Sequence, residues 1–185
     1  GARIGTSAPR RAAQALHFRP DCQIVSFRGN VATRLGKLEA GEADATLLAA
    51  AGLERLGQSE VGTALDPLAW LPAPGQGCIA IECRAGDSAT AGLLAAIDHR
   101  PSHLALRAER ALLAALGGNC HSPIAALTEH RAGELVLHAA LFSPDGSERV
   151  AATLHFPEGD PAGPVELARL LLDQASPNIR QHFEG

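Results

Sequence analysis

From Ala2 to Leu56 short apolar runs and helix-forming stretches take turns, and this alternation restricts the possible folds more than any other feature of the chain. It predicts a strand near 2–6, a helix near 9–18, a strand near 22–27, a helix near 30–41, an apolar strand at 45–49 and a short helix through Leu53 and Leu56. Parallel neighbours need long crossovers, which helices supply, so the reading is an α/β fold opening with a parallel-rich, three-layer domain. Ligands of such sheets collect beyond the carboxyl ends of the strands. Thr6, Ser7, Arg10, Arg11, Arg28 and the Ala49-Ala50-Ala51-Gly52 turn fall there.

One phrase recurs within this alternation: a β-like run, a small polar or glycine turn, arginines, and a helix start. It appears as Arg3-Ile4-Gly5-Thr6-Ser7-Ala8-Pro9-Arg10-Arg11 and as Ile24-Val25-Ser26-Phe27-Arg28-Gly29-Asn30. Pro9 suits the first helical turn and Asn30 suits an N-cap, with Arg34 one turn further on. A helix N-terminus carries positive charge, so arginine there is misplaced by roughly 0.3–1 kcal/mol unless an anion is close. Two such ends imply an anionic ligand, and arginine implies two-pronged pairing with carboxylate or phosphate. Arg34, taken alone, reads equally well as a solvated or salt-bridged helix residue, and Arg55 reads better as one.

The sixteen basic residues are fifteen arginines and Lys37. An Arg- and Ala-rich composition accounts for the number but not the placement. Through Arg55 eight basic residues face five acidic ones, net +3; the remainder has eight and fifteen, net −7. With 3% aromatics and a net charge of −4, nucleic acid is not the expected partner, and no long uncharged apolar run suggests a membrane span. No signal-peptide pattern opens the sequence and no methionine occurs in it, so the expectation is a piece of a longer, cytoplasmic protein with free thiols. Cys22 and Cys83 lie in apolar runs and are expected to be buried. Cys120, in Gly117-Gly118-Asn119-Cys120-His121-Ser122-Pro123, is expected on an accessible turn.

Downstream, the Pro/Gly-rich stretch 71–77 reads as a crossing segment and 78–83 as an apolar strand, followed by a helix at 88–97. A longer helix spans about 102–116, with Leu104, Ala108, Leu112 and Ala115 on its buried side and Glu109 and Arg110 on its surface. Strands at 124–130, 134–142 and 148–156, with turns at 132–133 and 145–146, form a three-stranded antiparallel meander. A helix at 164–173 and the segment 176–183 cover one of its faces. This gives three expected units: an α/β carboxylate-binding domain at 1–76, a returning strand and helix of an incomplete domain at 77–98, and a small α+β domain at 99–185.

Several phrases, in order along nearly the whole chain, resemble the porphobilinogen deaminase (hydroxymethylbilane synthase) family. They are Ile4-Gly5-Thr6-Ser7 with Arg10-Arg11, Arg28-Gly29-Asn30-Val31 with Thr33-Arg34-Leu35, Leu48-Ala49-Ala50-Ala51-Gly52-Leu53 with Arg55-Leu56-Gly57, Leu71-Pro72-Ala73 with Gly75-Gln76-Gly77, Ile81-Glu82-Cys83-Arg84, Ala108-Glu109-Arg110-Ala111, and Gly118 with Cys120 and Pro123-Ile124. The resemblance implies a transferase of heme and other tetrapyrrole synthesis that condenses four porphobilinogen units into linear hydroxymethylbilane, losing ammonia at each step. It implies a dipyrromethane cofactor held by a thioether to Cys120, a link that repeated condensation does not cleave. It implies cofactor binding by Thr6, Ser7, Arg10, Arg11, Arg28 and Arg34, and substrate-carboxylate binding by Arg10, Arg28, Arg34 and Arg55.

Two departures from the family pattern lie at the site. Ala8 stands where the family has a second serine, and Asn119-Cys120-His121 stands where it has Gly-Cys-Gln. The resemblance places the family's catalytic aspartate in a region preceding Gly1, so no catalytic residue and no metal ligand is assigned within this chain, and Asp44, Asp66 and Glu82 are read as structural or surface residues. The 78–83 strand would then return to that preceding region, whether it is part of the same protein or a complementary chain, and the chain alone would be inactive. A carboxylate-binding module of periplasmic-binding-protein type, without catalysis, is the competing reading.

Overall fold

The structure, a computed structural model, describes residues 1–183. Strand β1 (Arg3–Gly5) leads into helix α1 (Pro9–Phe18), strand β2 (Gln23–Val25) into α2 (Val31–Glu39), and strand β3 (Ala45–Thr46) into α3 (Ala50–Arg55). The three strands form one parallel sheet in the order β2-β1-β3, with Ile4 facing Ile24 on one side and Ala45 on the other. Gly5 sits in the middle of it. A Cβ there would lie 2.5 Å from the buried Phe27 ring, so only glycine lets β1 pass.

β3 stops earlier than the expected strand at 45–49. Gly5 pairs with Thr46, and the next residue, Thr6, donates its N–H across to Val25 instead, so Leu47 to Ala49 have no ladder to join.

After α4 (Ser88–Ala95) and α5 (Arg100–Ala115) come β4 (Ile124–Arg131), β5 (Glu134–Phe142) and β6 (Arg149–Pro157), an antiparallel sheet in sequence order, then α6 (Ala162–Gln174) and α7 (Pro177–Arg180). One face of this sheet packs on α5, α6 and α7 through Leu112, Leu116, Leu137, Leu141, Leu167, Leu171 and Ile179. The other face meets α1 at one end, where Ala13 and Leu71 pack with Ala125, Ala140 and Phe142. There the β5–β6 turn lies against α1: His17 Nδ1 is 3.1 Å from the carbonyl oxygen of Gly146, and a Cβ on Gly146 would come within 2.6 Å of the Ala13 carbonyl oxygen.

The expected strand at 78–83 is not formed. Among the described residues no strand offers its edge to it, and an extended segment without a ladder leaves its N–H and C=O groups to water. Ile79 and Ile81 are 73% and 59% exposed, and Cys83, expected to be buried, is exposed as well. Cys22 is buried and Cys120 exposed, as expected. No helix is long and apolar enough to cross a membrane among the described residues.

Candidate functional site

The carboxyl end of the parallel sheet is where the arginines gather. Thr6 is buried, and its hydroxyl accepts the Ala8 N–H at 3.2 Å, bending the chain into α1; Ser7 beside it is exposed. Ala8 is the N-cap of α1 and supplies no side-chain acceptor, and no acidic residue lies in the first turn. Arg10 and Arg11 therefore sit at a helix N-terminus that nothing in the side chains neutralises.

Arg10 is 5% exposed. Its Nη1 donates to the Leu71 carbonyl at 2.8 Å and its Nη2 to Gln76 Oε1 at 3.2 Å, while Gln14 donates to the same Leu71 oxygen at 3.0 Å. Burial, and then the charge of Arg11, lower the Arg10 pKa to about 10. Arg11 donates to the Leu47 carbonyl at 2.8 Å; burial, and then the charge of Arg34, push its pKa down.

Arg34 projects from α2, whose N-cap Asn30 accepts the Thr33 N–H at 2.9 Å, and it donates to the Gly29 carbonyl at 3.0 Å. Gly29 has φ +117°, a conformation costly for any residue with a side chain. Arg28 and Arg55 are exposed, Arg55 in the last turn of α3. Among the described residues none of Arg10, Arg11, Arg28, Arg34 and Arg55 forms an ion pair, a state they share with Arg107, Arg110, Arg149 and Arg180 further along the chain, whereas Arg3, Arg19, Arg84, Arg100, Arg131 and Arg169 each hold an aspartate or glutamate. What sets Arg10 and Arg11 apart is that they are unpaired while largely buried.

A cleft of about 580 Å³ opens beside Arg10 and Arg11, walled by Leu47, Thr63, Trp70 and Gln76. Glu54 is the acidic residue that reaches it. Thr6, Ser7, Arg28, Arg34, Arg55 and Cys120 do not line it. Asp44 is bound to Arg3 through both its backbone N–H and its guanidinium, at 2.7 and 3.0 Å, and the Arg3 hydrogen bonds hold its carboxyl below the usual range. Asp66 accepts the Leu68 N–H, and Glu82 is exposed.

Cys120 belongs to the turn that ends α5. Gly117, at φ +62°, closes the helix with its N–H on Ala114 and the Gly118 N–H on Leu113, and a Cβ on Gly118 would meet Leu113 Cδ1 at 2.7 Å, so that side chain would have to shift. Asn119 Oδ1 accepts the His121 N–H at 2.8 Å, and Ser122 Oγ accepts that of Asn119 at 3.0 Å. The thiol is thus exposed on an ordered turn. Among the described residues no cluster of three or more His, Cys, Asp or Glu could hold a metal ion.

Glu109 corrects the surface role expected for it. It is buried, and its two oxygens accept the N–H of Gly75 at 2.6 Å and that of Thr128 at 2.8 Å. Desolvation pushes its pKa up against the opposing hydrogen bonds. It ties the crossing segment to β4. Its neighbours Ala108 and Leu112 are buried, which was the available signal.

Residues 1–92 match the family profile described as "Porphobilinogen deaminase, dipyromethane cofactor binding domain", and residues 103–174 match "Porphobilinogen deaminase, C-terminal domain". Among curated proteins, the chain is 58% identical over 184 residues to a porphobilinogen deaminase of Sphingopyxis alaskensis, covering 99% of this chain and 58% of that protein. It is 52% identical over 163 residues to one of Paracoccus denitrificans (88% and 52% covered) and 43% identical over 178 residues to one of Stenotrophomonas maltophilia (95% and 59%). The chain spans a little over half the length of these relatives.

Proposed function

The chain belongs to the porphobilinogen deaminase family, and from that premise we propose that it is the cofactor-bearing portion of a hydroxymethylbilane synthase. The overall reaction joins four porphobilinogen molecules head to tail, releases four ammonia molecules and consumes one water to give hydroxymethylbilane. The observation that carries this reading is the set of five arginines left without a carboxylate partner at the ends of the parallel strands and their helices. Porphobilinogen carries an acetate and a propionate, and each unit added brings two more carboxylates for guanidinium groups to pair.

The donor set fits a dipyrromethane group: Cys120 is an accessible thiol for a thioether, and Arg10, Arg11, Arg28 and Arg34, with Thr6 and Ser7, are donors for its carboxylates. Such a group supplies the pyrrole carbon on which the chain of substrates is built. What this chain's own residues contribute is charge and position. Arg10 and Arg11 hold anions at a helix N-terminus already positive, and Arg28, Arg34 and Arg55 extend the cationic field for incoming substrate carboxylates. The bare Ala8 N-cap leaves first-turn N–H groups free to join them.

No acid in this chain matches by motif the family's proton handler at the pyrrole nitrogens. We assign that role to an aspartate in a preceding region, beside which 78–83 would form the strand it does not form here, and the chain alone is expected to be inactive. Its working compartment in this reading is the cytoplasm, and its units are 1–76, 77–98 and 99–185.

Intact mass with peptide mapping around Cys120 tests the reading. Added mass equal to two condensed porphobilinogen units on Cys120 supports it. If Cys120 stays unmodified after incubation with porphobilinogen and a preceding region taken from a relative, the reading fails.

A further inference from the structure

Arg10 is a buried cation satisfied by neutral oxygens. Its two acceptors differ in kind. The Leu71 carbonyl is shared with Gln14 and belongs to a residue packed against α1 and the second sheet, so it is fixed. Gln76 is exposed, belongs to a turn, and lines the same cleft as Arg10. A carboxylate can pair with a guanidinium through both oxygens and with opposite charge, whereas the amide of Gln76 offers one neutral oxygen. The Gln76 prong is the exchangeable one.

The turn that carries Gln76 depends on the same oxygen. Residues Ala73-Pro74-Gly75-Gln76 make a tight turn with the Gln76 N–H on Ala73 at 3.0 Å and Gly75 at φ +72°. Gln76 Oε1 also takes the Ala73 N–H at 3.3 Å. Gly75 is held from the other side by Glu109. Displacing the amide oxygen therefore frees Ala73 and the Gln76 side chain while Gly75 stays moored, and the change falls at the entry to the exposed stretch 78–83.

We propose that Gln76 is a placeholder for a ligand carboxylate: its side-chain oxygen occupies one prong of Arg10 until an anion takes it, and that exchange couples filling of the cleft to the start of the returning segment. The inference rests on the carboxylate-binding reading of the cleft and adds to it a residue that positions Arg10 and tunes affinity. A competitor built into the site reduces apparent affinity by the fraction of time it occupies it. A permanent carboxylate at this position competes far better than an amide, and no acceptor at all does not compete.

The test is porphobilinogen binding to the full chain by equilibrium dialysis, followed in parallel by the emission of Trp70, the only tryptophan and a wall of the same cleft. Gln76→Glu is expected to weaken binding about tenfold and Gln76→Ala to tighten it about threefold. Hydrogen exchange at the Ala73 amide should rise on ligand addition in the wild type and start high in Gln76→Ala. Gln76 is exposed, so both variants are expected to keep the wild-type circular dichroism. Saturable wild-type binding that neither substitution alters overturns the placeholder and leaves the functional reading standing. Absence of saturable binding by the wild type overturns the carboxylate-binding reading of the cleft and the placeholder with it.

Discussion

Strands β4, β5 and β6 run 8, 9 and 9 residues and pair along almost their whole lengths, whereas β1, β2 and β3 manage 3, 3 and 2. The long meander is closed by α5, α6 and α7 over a continuous apolar core. The parallel unit buries little beyond Ala13, Ala15, Cys22, Phe27, Ala43 and Leu53, and α2 has no fully buried residue. Local antiparallel pairing with a dedicated helical cover is self-sufficient. A small parallel sheet of two- and three-residue strands whose ends carry charged side chains has less area left for a core, and depends on what it is joined to.

The largest break in that comparison is expected from Leu137→Ala. Leu137 is wholly buried under α5 and α6, and losing it should cost about 2–5 kcal/mol, read as a lower urea midpoint. The same truncation at the half-buried Ile24 of β2 should cost less than half as much. Equal losses would mean that the two sheets share one cooperative core. Gly5→Ala comes next, at about 3 kcal/mol, because the new methyl meets the Phe27 ring with backbone on both sides. Its damage should appear in amide exchange of β1–β3 and spare β4–β6.

Glu109→Gln sharpens the comparison by loosening the link between the regions. One of the Gly75 and Thr128 N–H groups then loses its acceptor, at about 1–2 kcal/mol. The Glu109 pKa is raised in the fold, so the native state holds that proton to higher pH than the unfolded chain does. The stability this contributes is complete below the unfolded pKa and is lost as pH rises through the folded one. Glutamine does not titrate, so the deficit of the variant should be largest in mild acid and shrink toward neutrality in denaturation curves run across pH.

The smallest effect is a gain. Ala132 opens the β4–β5 turn at φ +49°, with Gly133 at φ +89°, and Ala132→Gly relieves the strain by about 0.5–1 kcal/mol, visible as a raised melting temperature.

Much of this was written locally in the sequence. Alternation announced the parallel sheet, Asn30 announced its cap, and two-residue periodicity with Ala132-Gly133 announced the meander. The quoted phrases around the arginines and Cys120 announced the family. What stayed hidden depends on partners far along the chain. The 78–83 stretch has strand composition, but a strand exists only beside another, and the described residues supply none. Cys83 was misjudged with it. Glu109 sits on the polar shoulder of α5 by periodicity, and nothing nearby told that Gly75 and Thr128 would converge on it. Gln76 and Trp70 became part of the site only when the fold brought them beside Arg10 and Arg11.

The hydroxyl of Ser122 accepts the Asn119 N–H and donates its own O–H to the carbonyl oxygen of His182, 3.3 Å away. The turn bearing the Cys120 sulfur is therefore moored to a residue 60 positions further along the chain. A change that displaces His182 touches nothing in the arginine cleft, yet it removes one of the bonds that steady the Cys120 turn, and the rate at which a mild alkylating agent labels that sulfur is expected to report it.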